Sequence, residues 1–172
     1  GIQRAWALVP FILAFFSIWW MAQPDIIVSN DGGVMAVKDQ QHVFLSSMRK
    51  DKFATETWLK RWGKKSDDVL PFPRQGQVIL ERGGAISCDP SACRIETGGL
   101  KISFGSRLYE LKQDCEWANK IITDIRLPKD FCKDGGIQQF GYYDFKENGA
   151  MSIFIKDRVV IDRVGHDRGF RP

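Results

Sequence analysis

The chain has 172 residues and a net charge of +4 at pH 7. This charge is too mild to require a polyanionic partner, so charge alone does not indicate a nucleic-acid-binding protein. The length suits one domain with its own core and is too short for two, once the apolar N-terminal stretch is set aside.

That stretch, residues 5–22, contains no charged residue. It is long enough to cross most of a hydrocarbon core roughly 30 Å thick, and therefore predicts a transmembrane helix. Trp6, Trp19 and Trp20 lie near its ends, where aromatic rings settle at the membrane interfaces. Two alternatives stay open, a buried helix of a soluble protein and a cleaved secretory signal, although tryptophans stand where a cleavage site prefers small residues.

The chain begins with Gly1, so we expect residues 1–23 to be the last transmembrane helix of a longer membrane protein. Residues 24–172 then form one domain. Arg4 favours the cytoplasm for the N-terminal flank, and four cysteines suit an oxidising compartment. We expect the protein in the cell inner membrane, with the domain on the periplasmic side.

Short apolar runs between turn residues predict that the domain is mainly antiparallel β-structure. The predicted strands are residues 26–28, 34–37, 43–45, 78–80, 85–88, 93–96, 100–104, 121–125, 137–143, 151–155 and 158–164. The break at residues 30–33 (NDGG) is a strong hairpin signal, because glycine readily adopts the positive φ angles of tight turns.

One clear soluble helix is predicted over residues 51–63. Asp51 is a suitable N-cap, Gly63 can end the helix, and Trp58, Leu59 and Trp62 share one face. A second, shorter helix is predicted from a Ser106 cap to about Cys115, while residues 64–75 are interpreted as a loop. The predicted fold class is α+β: a transmembrane helix, then a mainly antiparallel β domain with one or two helices.

The four cysteines are Cys88, Cys93, Cys115 and Cys132. Cys88 and Cys93 flank a predicted turn and are placed for a disulfide, which leaves Cys115 with Cys132. Four cysteines allow three connectivities, and reduced or metal-bound thiols also stay open. Only the first pair has the close spacing that a zinc site needs twice.

Two groups of basic residues are candidate DNA contacts. The first lies in the predicted helix with Trp58 and Trp62, a mixture typical of single-strand binding; burial of the tryptophans with solvated lysines is the favoured alternative. The second lies in the C-terminal tail, where intramolecular pairing with aspartates is favoured over phosphate contact. The candidates are Lys60, Arg61, Lys64, Lys65, Arg163, Arg168 and Arg171.

No catalytic or metal site is predicted. The only histidines, His42 and His166, are far apart, and no phosphate-binding loop, GxSxG motif or helical histidine pair occurs. We therefore expect no cofactor, no small-molecule substrate and no enzymatic activity.

Several segments, in order along the chain, carry a family resemblance. These are the apolar helix, PDIIVSNDGGVMAVK (24–38), TWLKRWG (57–63), ISCDPSACRI (86–95), QDCEWANKIITD (113–124), FC (131–132) and DRGFRP (167–172). Together they resemble the C-terminal end of ComEC family competence proteins, in the branch with a short tail after the last membrane helices. The resemblance implies membership of an inner-membrane channel that takes up one strand of DNA in natural transformation. The chain lacks the metal motif of the nuclease domain that other branches of the family carry.

The resemblance gives a working hypothesis: a non-catalytic accessory domain of a ComEC-like channel, whose partners are the membrane, the remainder of the channel and, as a candidate, single-stranded DNA. One alternative is a disulfide-stapled, membrane-anchored scaffold for another envelope protein. Another is a degenerate metallo-β-lactamase-like nuclease domain.

Overall fold

The computed structural model describes residues 23–133 and 136–155, and the backbone alone of residues 159–163. The strands in chain order are β1 (Ile26–Val28), β2 (Met35–Lys38), β3 (Val43–Leu45), β4 (Val69–Pro71), β5 (Gly76–Ile79), β6 (Ala85–Cys88), β7 (Ala92–Thr97), β8 (Leu100–Gly105), β9 (Lys120–Ile122), β10 (Gln138–Phe140), β11 (Met151–Ile155) and β12 (Val159–Arg163). The helices are α1 (Lys52–Trp62), α2 (Leu108–Gln113) and α3 (Tyr142–Asn148), and short 3-10 turns follow α1 (Ser66–Asp68) and α2 (Asp114–Glu116).

The strands form two six-stranded sheets. The first has the order β12-β11-β1-β2-β3-β4, and the second the order β10-β9-β8-β7-β6-β5. Most neighbours are antiparallel, and three pairs, β3–β4, β8–β9 and β9–β10, are parallel. The α+β class with mainly antiparallel strands is confirmed.

The main core lies between the two sheets. Ile26 and Val28 from β1 pack there with Ile86, Ile95 and other apolar residues of the second sheet. Ile27 points the opposite way, towards α1. Side chains alternate across a strand, so a strand covered on both faces needs apolar residues at every position, as β1 has.

Each sheet is also covered on its outer face. Leu59 and Trp62 of α1 pack against the first sheet. Leu111 of α2 packs with Ile121 and with Phe131 of a nearby loop, outside the second sheet. The described part therefore has four layers, in the order helix, sheet, sheet, helix with loop, and the two outer layers face opposite sides of the molecule.

Both favoured disulfides are present. Cys88 and Cys93 are cross-strand partners at the end of the β6–β7 hairpin. Cys115 and Cys132 join the turn after α2 to the loop that precedes β10. The described part of the chain contains no free cysteine.

Some local predictions were wrong. Residues 64–75 contain β4, an edge strand of the first sheet, and do not form a plain loop. The predicted strand at residues 137–143 is shorter, because α3 begins at Tyr142, and α3 raises the helices of the described part to three. Ser106 does not cap α2: the cap residue is Arg107, and its side chain makes no capping hydrogen bond.

The predicted transmembrane helix, with Trp6, Trp19 and Trp20, lies outside the described residues. Within the described ranges, no helix combines the length and the apolar character that a membrane crossing requires.

Candidate nucleic-acid interface

Helix α1 carries Lys60 and Arg61 of the first group of predicted DNA contacts, while Lys64 and Lys65 follow directly after it. The two ends of α1 are those that the sequence predicts. The Asp51 carboxylate accepts a hydrogen bond from the Ala54 N–H at 3.2 Å. Gly63 ends the helix with φ of 64°, a left-handed conformation that glycine adopts without a Cβ penalty. Lys60 and Arg61 lie in the last turn, where cations interact favourably with the helix dipole.

The tryptophans of α1 belong to the core. Trp62 is 5% exposed, and its Nε1 donates a hydrogen bond of 2.9 Å to the backbone carbonyl of Pro24. Trp58 is half-buried against the same cluster beneath the helix. This arrangement matches the favoured interpretation for the tryptophans, which are packed in the core.

The aromatic side chain that α1 presents to solvent is Phe53, which is 83% exposed. It lies seven positions before Lys60, so the two residues share one face of the helix, about 10 Å apart along its axis. An exposed phenyl ring on the same helix face as a cation provides the two elements that single-stranded nucleic acid binds, a stacking surface and a phosphate contact. Sequence reasoning missed Phe53, because periodicity assigns it to no apolar stripe.

The basic candidates occupy different environments. Lys60, Arg61 and Lys65 are exposed. Lys64 is partly buried, and its Nζ donates hydrogen bonds to the backbone carbonyls of Gln40 at 2.9 Å and Gln41 at 2.7 Å. Lys64 therefore ties the end of α1 to the β2–β3 turn while keeping its charge near the surface.

The tail candidates are only partly described. The structure places the backbone of Arg163 in β12, next to Met151 of β11. Arg168, Arg171 and His166 lie outside the described residues. Their predicted contacts stay predictions.

The end of α1 lies beside the point where the chain enters the domain. The Gln23 side chain donates to the Arg61 carbonyl at 3.3 Å and accepts a hydrogen bond of 2.5 Å from Lys38 Nζ. Asp25 pairs with Arg82 of the β5–β6 turn. We call this region, formed by residues 23–25, Lys38, the last turn of α1 and Arg82, the chain-entry end.

Two cations of the chain-entry end were not predicted, because they lie in different sheets and are brought together only by the fold. Lys38 ends β2, while Arg82 lies in the turn that leads to β6. Burial, and then the positive charge of Arg82, lower the pKa of Lys38 below its ordinary value. The shift thus reflects mainly the partial burial of the ammonium group; the charge of Arg82 adds to it, and the carboxylate of Asp25 opposes it.

A second group of cations and aromatic rings involves α3. Arg126 lies over the rings of Tyr142 and Tyr143, at 5.6 and 5.3 Å from their centroids. Lys146 lies 5.8 Å from the Tyr142 ring, on the next turn of the same helix. Because the cations already occupy ring surfaces of these tyrosines, this group offers less free stacking area than Phe53 does.

A metal-dependent nuclease needs a cluster of ligands. Across the described ranges, no group of three or more His, Cys, Asp or Glu side chains is placed to hold a metal ion. His42 is partly buried and lies immediately before β3.

Comparisons with protein-family models, curated proteins and solved structures found no significant match to this chain.

Proposed function

We propose that residues 24–172 form a non-catalytic accessory domain of a ComEC-like DNA-uptake channel, attached to the inner membrane by the preceding apolar segment. In this proposal the outer face of α1 binds single-stranded DNA and guides it towards the channel. The proposed interface consists of Phe53, Lys60 and Arg61 on α1 and of Lys65 just after its end. Lys64 adds charge beside them while its Nζ stays bonded to the β2–β3 turn.

The observation that carries the proposal is the contact between the last turn of α1 and residues 23–24, where the chain enters the domain. Trp62 is hydrogen-bonded to Pro24, and Gln23 to the Arg61 carbonyl. Gln23 directly follows the uncharged apolar stretch of residues 5–22, and one residue extends the chain by at most about 3.6 Å. A membrane helix ending at residue 22 would therefore hold these cations close to the mouth of the channel that it belongs to.

The chemistry of the α1 surface fits a single strand. Exposed lysine and arginine side chains bind phosphates without regard to sequence, and a ring stacks on any base. Both properties suit an uptake system, which must accept DNA of every sequence.

The test is a titration of a fluorescently labelled single-stranded oligonucleotide with the full chain in detergent micelles, over a series of salt concentrations. We expect salt-dependent binding. Replacing Lys60 and Lys65 together by alanine should weaken it and reduce the log–log salt slope by about 1.4, at about 0.7 for each phosphate that is no longer bound. Phe53→Ala should weaken binding and leave the salt slope unchanged.

The matched control is the double substitution Lys129→Ala with Lys133→Ala. Both lysines are exposed in the loop that covers the second sheet, on the side of the molecule opposite α1. An equal loss of affinity in the control variant would mean that DNA is attracted to positive charge anywhere on the protein surface. That result would overturn the α1 interface. Absence of binding at low salt would favour the scaffold alternative, and cleavage of the oligonucleotide with added Mg²⁺ would favour the nuclease alternative.

A further inference from the structure

A cavity of ≈ 360 Å³ lies between the two sheets at the chain-entry end. The first sheet and its β2–β3 turn contribute Asp25, Lys38 and Gln40 to its lining. Arg82, Thr97 and Gly98, from turns and strands of the second sheet, complete the polar part. The cavity is thus lined by polar groups from both sheets, and two of these groups are cations.

Lys38 forms no ion pair among the described residues, although the Asp25 carboxylate is close enough to oppose the lowering of its pKa by burial and by Arg82. The hydrogen-bond acceptor of its ammonium group there is the neutral amide oxygen of Gln23, at 2.5 Å. The nearby carboxylates are engaged elsewhere. Asp25 pairs with Arg82 and accepts a hydrogen bond of 2.7 Å from the Ile155 N–H. Asp39 is 2% exposed, and its carboxylate accepts hydrogen bonds from the backbone N–H groups of Glu81 at 2.8 Å and Arg82 at 3.1 Å.

The Glu81 side chain is exposed. The cavity therefore presents a partly buried ammonium and a guanidinium with only one carboxylate, Asp25, in its lining. Burying a charge without a counter-charge is unfavourable, and a bound anion would relieve that cost. A guanidinium and an ammonium together suit phosphate: the first by its planar fork of donors, the second as a point charge.

The position of the cavity indicates where its anion comes from. Lys38 is hydrogen-bonded to Gln23, the residue that follows the uncharged apolar stretch. If that stretch spans the bilayer, the lipid headgroups lie next to Gln23 and are present at a high effective concentration. DNA phosphates, in contrast, reach the site only while a strand is being taken up.

We propose that this cavity binds the phosphate of an anionic phospholipid headgroup, and that the domain thereby rests on the membrane with its chain-entry end. The inference depends on the membrane attachment in the proposed function and does not depend on DNA binding. It assigns a lipid contact to Lys38 and Arg82, neither of which belongs to the proposed DNA interface.

The test compares the full chain in nanodiscs of phosphatidylcholine alone with the full chain in nanodiscs that also contain phosphatidylglycerol. An amine-reactive ester acylates accessible lysines, and mass spectrometry gives the rate at each position. Phosphatidylglycerol should slow the acylation of Lys38 several-fold and leave Lys129, on the far side, unchanged. Arg82→Gln should abolish most of the protection at Lys38, and Arg82→Lys should retain most of it.

Circular dichroism of both Arg82 variants checks that the fold persists, and Arg82→Lys keeps the test decisive if Arg82→Gln does not fold. Equal acylation of Lys38 in the two membranes would overturn the inference. Phosphatidylglycerol could instead protect Lys38, Lys60 and Lys65 equally, with no effect of the Arg82 substitutions. That result would mean that the anionic membrane surface attracts all three lysines without a specific site, and it would also overturn the inference.

Further arms add inorganic phosphate or a single-stranded oligonucleotide to the phosphatidylcholine nanodiscs. If phosphatidylglycerol does not protect Lys38 but inorganic phosphate does, the cavity binds a soluble phosphate. If only the oligonucleotide protects Lys38, the cavity binds DNA. Alkaline carbonate extraction separates the two proposals. Release of the chain by carbonate overturns the membrane attachment itself, whereas a retained chain with unprotected Lys38 overturns only the lipid site.

Discussion

Trp62 and Pro24 are joined by a hydrogen bond of 2.9 Å from the indole Nε1 to the backbone carbonyl oxygen. Both residues are buried, and they are 38 positions apart in the sequence. The bond fixes the last turn of α1 to the start of the domain. The position of the α1 cations relative to residues 23–25 therefore depends on a buried, directional contact.

Trp62→Phe should lower the free energy of unfolding by about 2 kcal/mol or more. The phenyl ring leaves the buried Pro24 carbonyl without its donor and fills less of the space beneath α1. Urea unfolding of the full chain in detergent, followed by circular dichroism, measures the change. Trp58→Phe is the control, since Trp58 packs on the same cluster while half-buried; a cost as large as that of Trp62→Phe would contradict the role of the hydrogen bond.

Gly32→Ala should also destabilise the domain, by about 2–4 kcal/mol. Gly32 has φ of +71°, and a Cβ there would lie 2.7 Å from Phe145 Cδ2 and 2.9 Å from the Thr123 carbonyl oxygen. The cost therefore combines about 1 kcal/mol for the left-handed backbone with about 1–3 kcal/mol for overpacking.

Gly63→Ala separates these two contributions. Gly63 has φ of +64°, and a Cβ there would meet nothing within 4 Å. The substitution should cost only the backbone part, about 1 kcal/mol. Equal losses for the two variants, measured by urea unfolding, would show that the contact with Phe145 and Thr123 adds nothing.

The sequence is informative where local chemistry alone determines structure. Strands β1 and β3 were predicted at their observed bounds, because each is packed on both faces and reads as an uninterrupted apolar run. Helix α1 was predicted because Asp51 and Gly63 mark its ends chemically.

Where tertiary contacts decide, the sequence was not sufficient. β4 (Val69–Pro71) is an edge strand that ends in proline, and only its parallel pairing with β3 makes it a strand. Tyr142 and Tyr143 favour a strand by propensity, yet they begin α3, where the Asp144 carboxylate accepts the Gly141 N–H at 3.0 Å. Lys38 and Arg82 become neighbours only when the two sheets face each other.

The β1–β2 turn should contribute to the acid sensitivity of the domain through Asp31. Burial alone would raise the pKa of Asp31, but the Ser29 hydroxyl at 2.5 Å and the Gly33 N–H at 2.9 Å donate to its carboxylate and lower that pKa below its ordinary value. A group whose pKa is lower in the folded state stabilises the fold above its unfolded pKa. That contribution is lost as the pH falls through the folded pKa.

Asp31→Asn should therefore destabilise the domain at neutral pH, and its difference from the unmodified chain should shrink on acidification below about pH 4. Urea midpoints measured from about pH 7 to about pH 3 give this difference directly. Glu147→Gln, at an exposed position of α3, is the control. A difference between Asp31→Asn and the unmodified chain that stays constant over this range would contradict the assignment.

The two disulfides should differ in their contribution to stability, because they close loops of different length. Cys115 and Cys132 are 17 positions apart, whereas Cys88 and Cys93 are 5 apart. Loop-closure entropy in the unfolded chain gives about 3 kcal/mol for the longer loop and about 2 kcal/mol for the shorter one.

Replacing Cys115 and Cys132 together by alanine should accordingly lower the urea midpoint more than replacing Cys88 and Cys93. The shorter bridge joins facing residues of the β6–β7 hairpin. Because pairing of these strands already holds Cys88 and Cys93 close together, the disulfide adds less to the stability of the fold. Reducing the unmodified chain with dithiothreitol gives the combined loss and serves as the reference. A larger loss from the Cys88 and Cys93 pair would mean that packing of the buried Cys88 in the inter-sheet core, and not chain entropy, sets the contribution of that bridge.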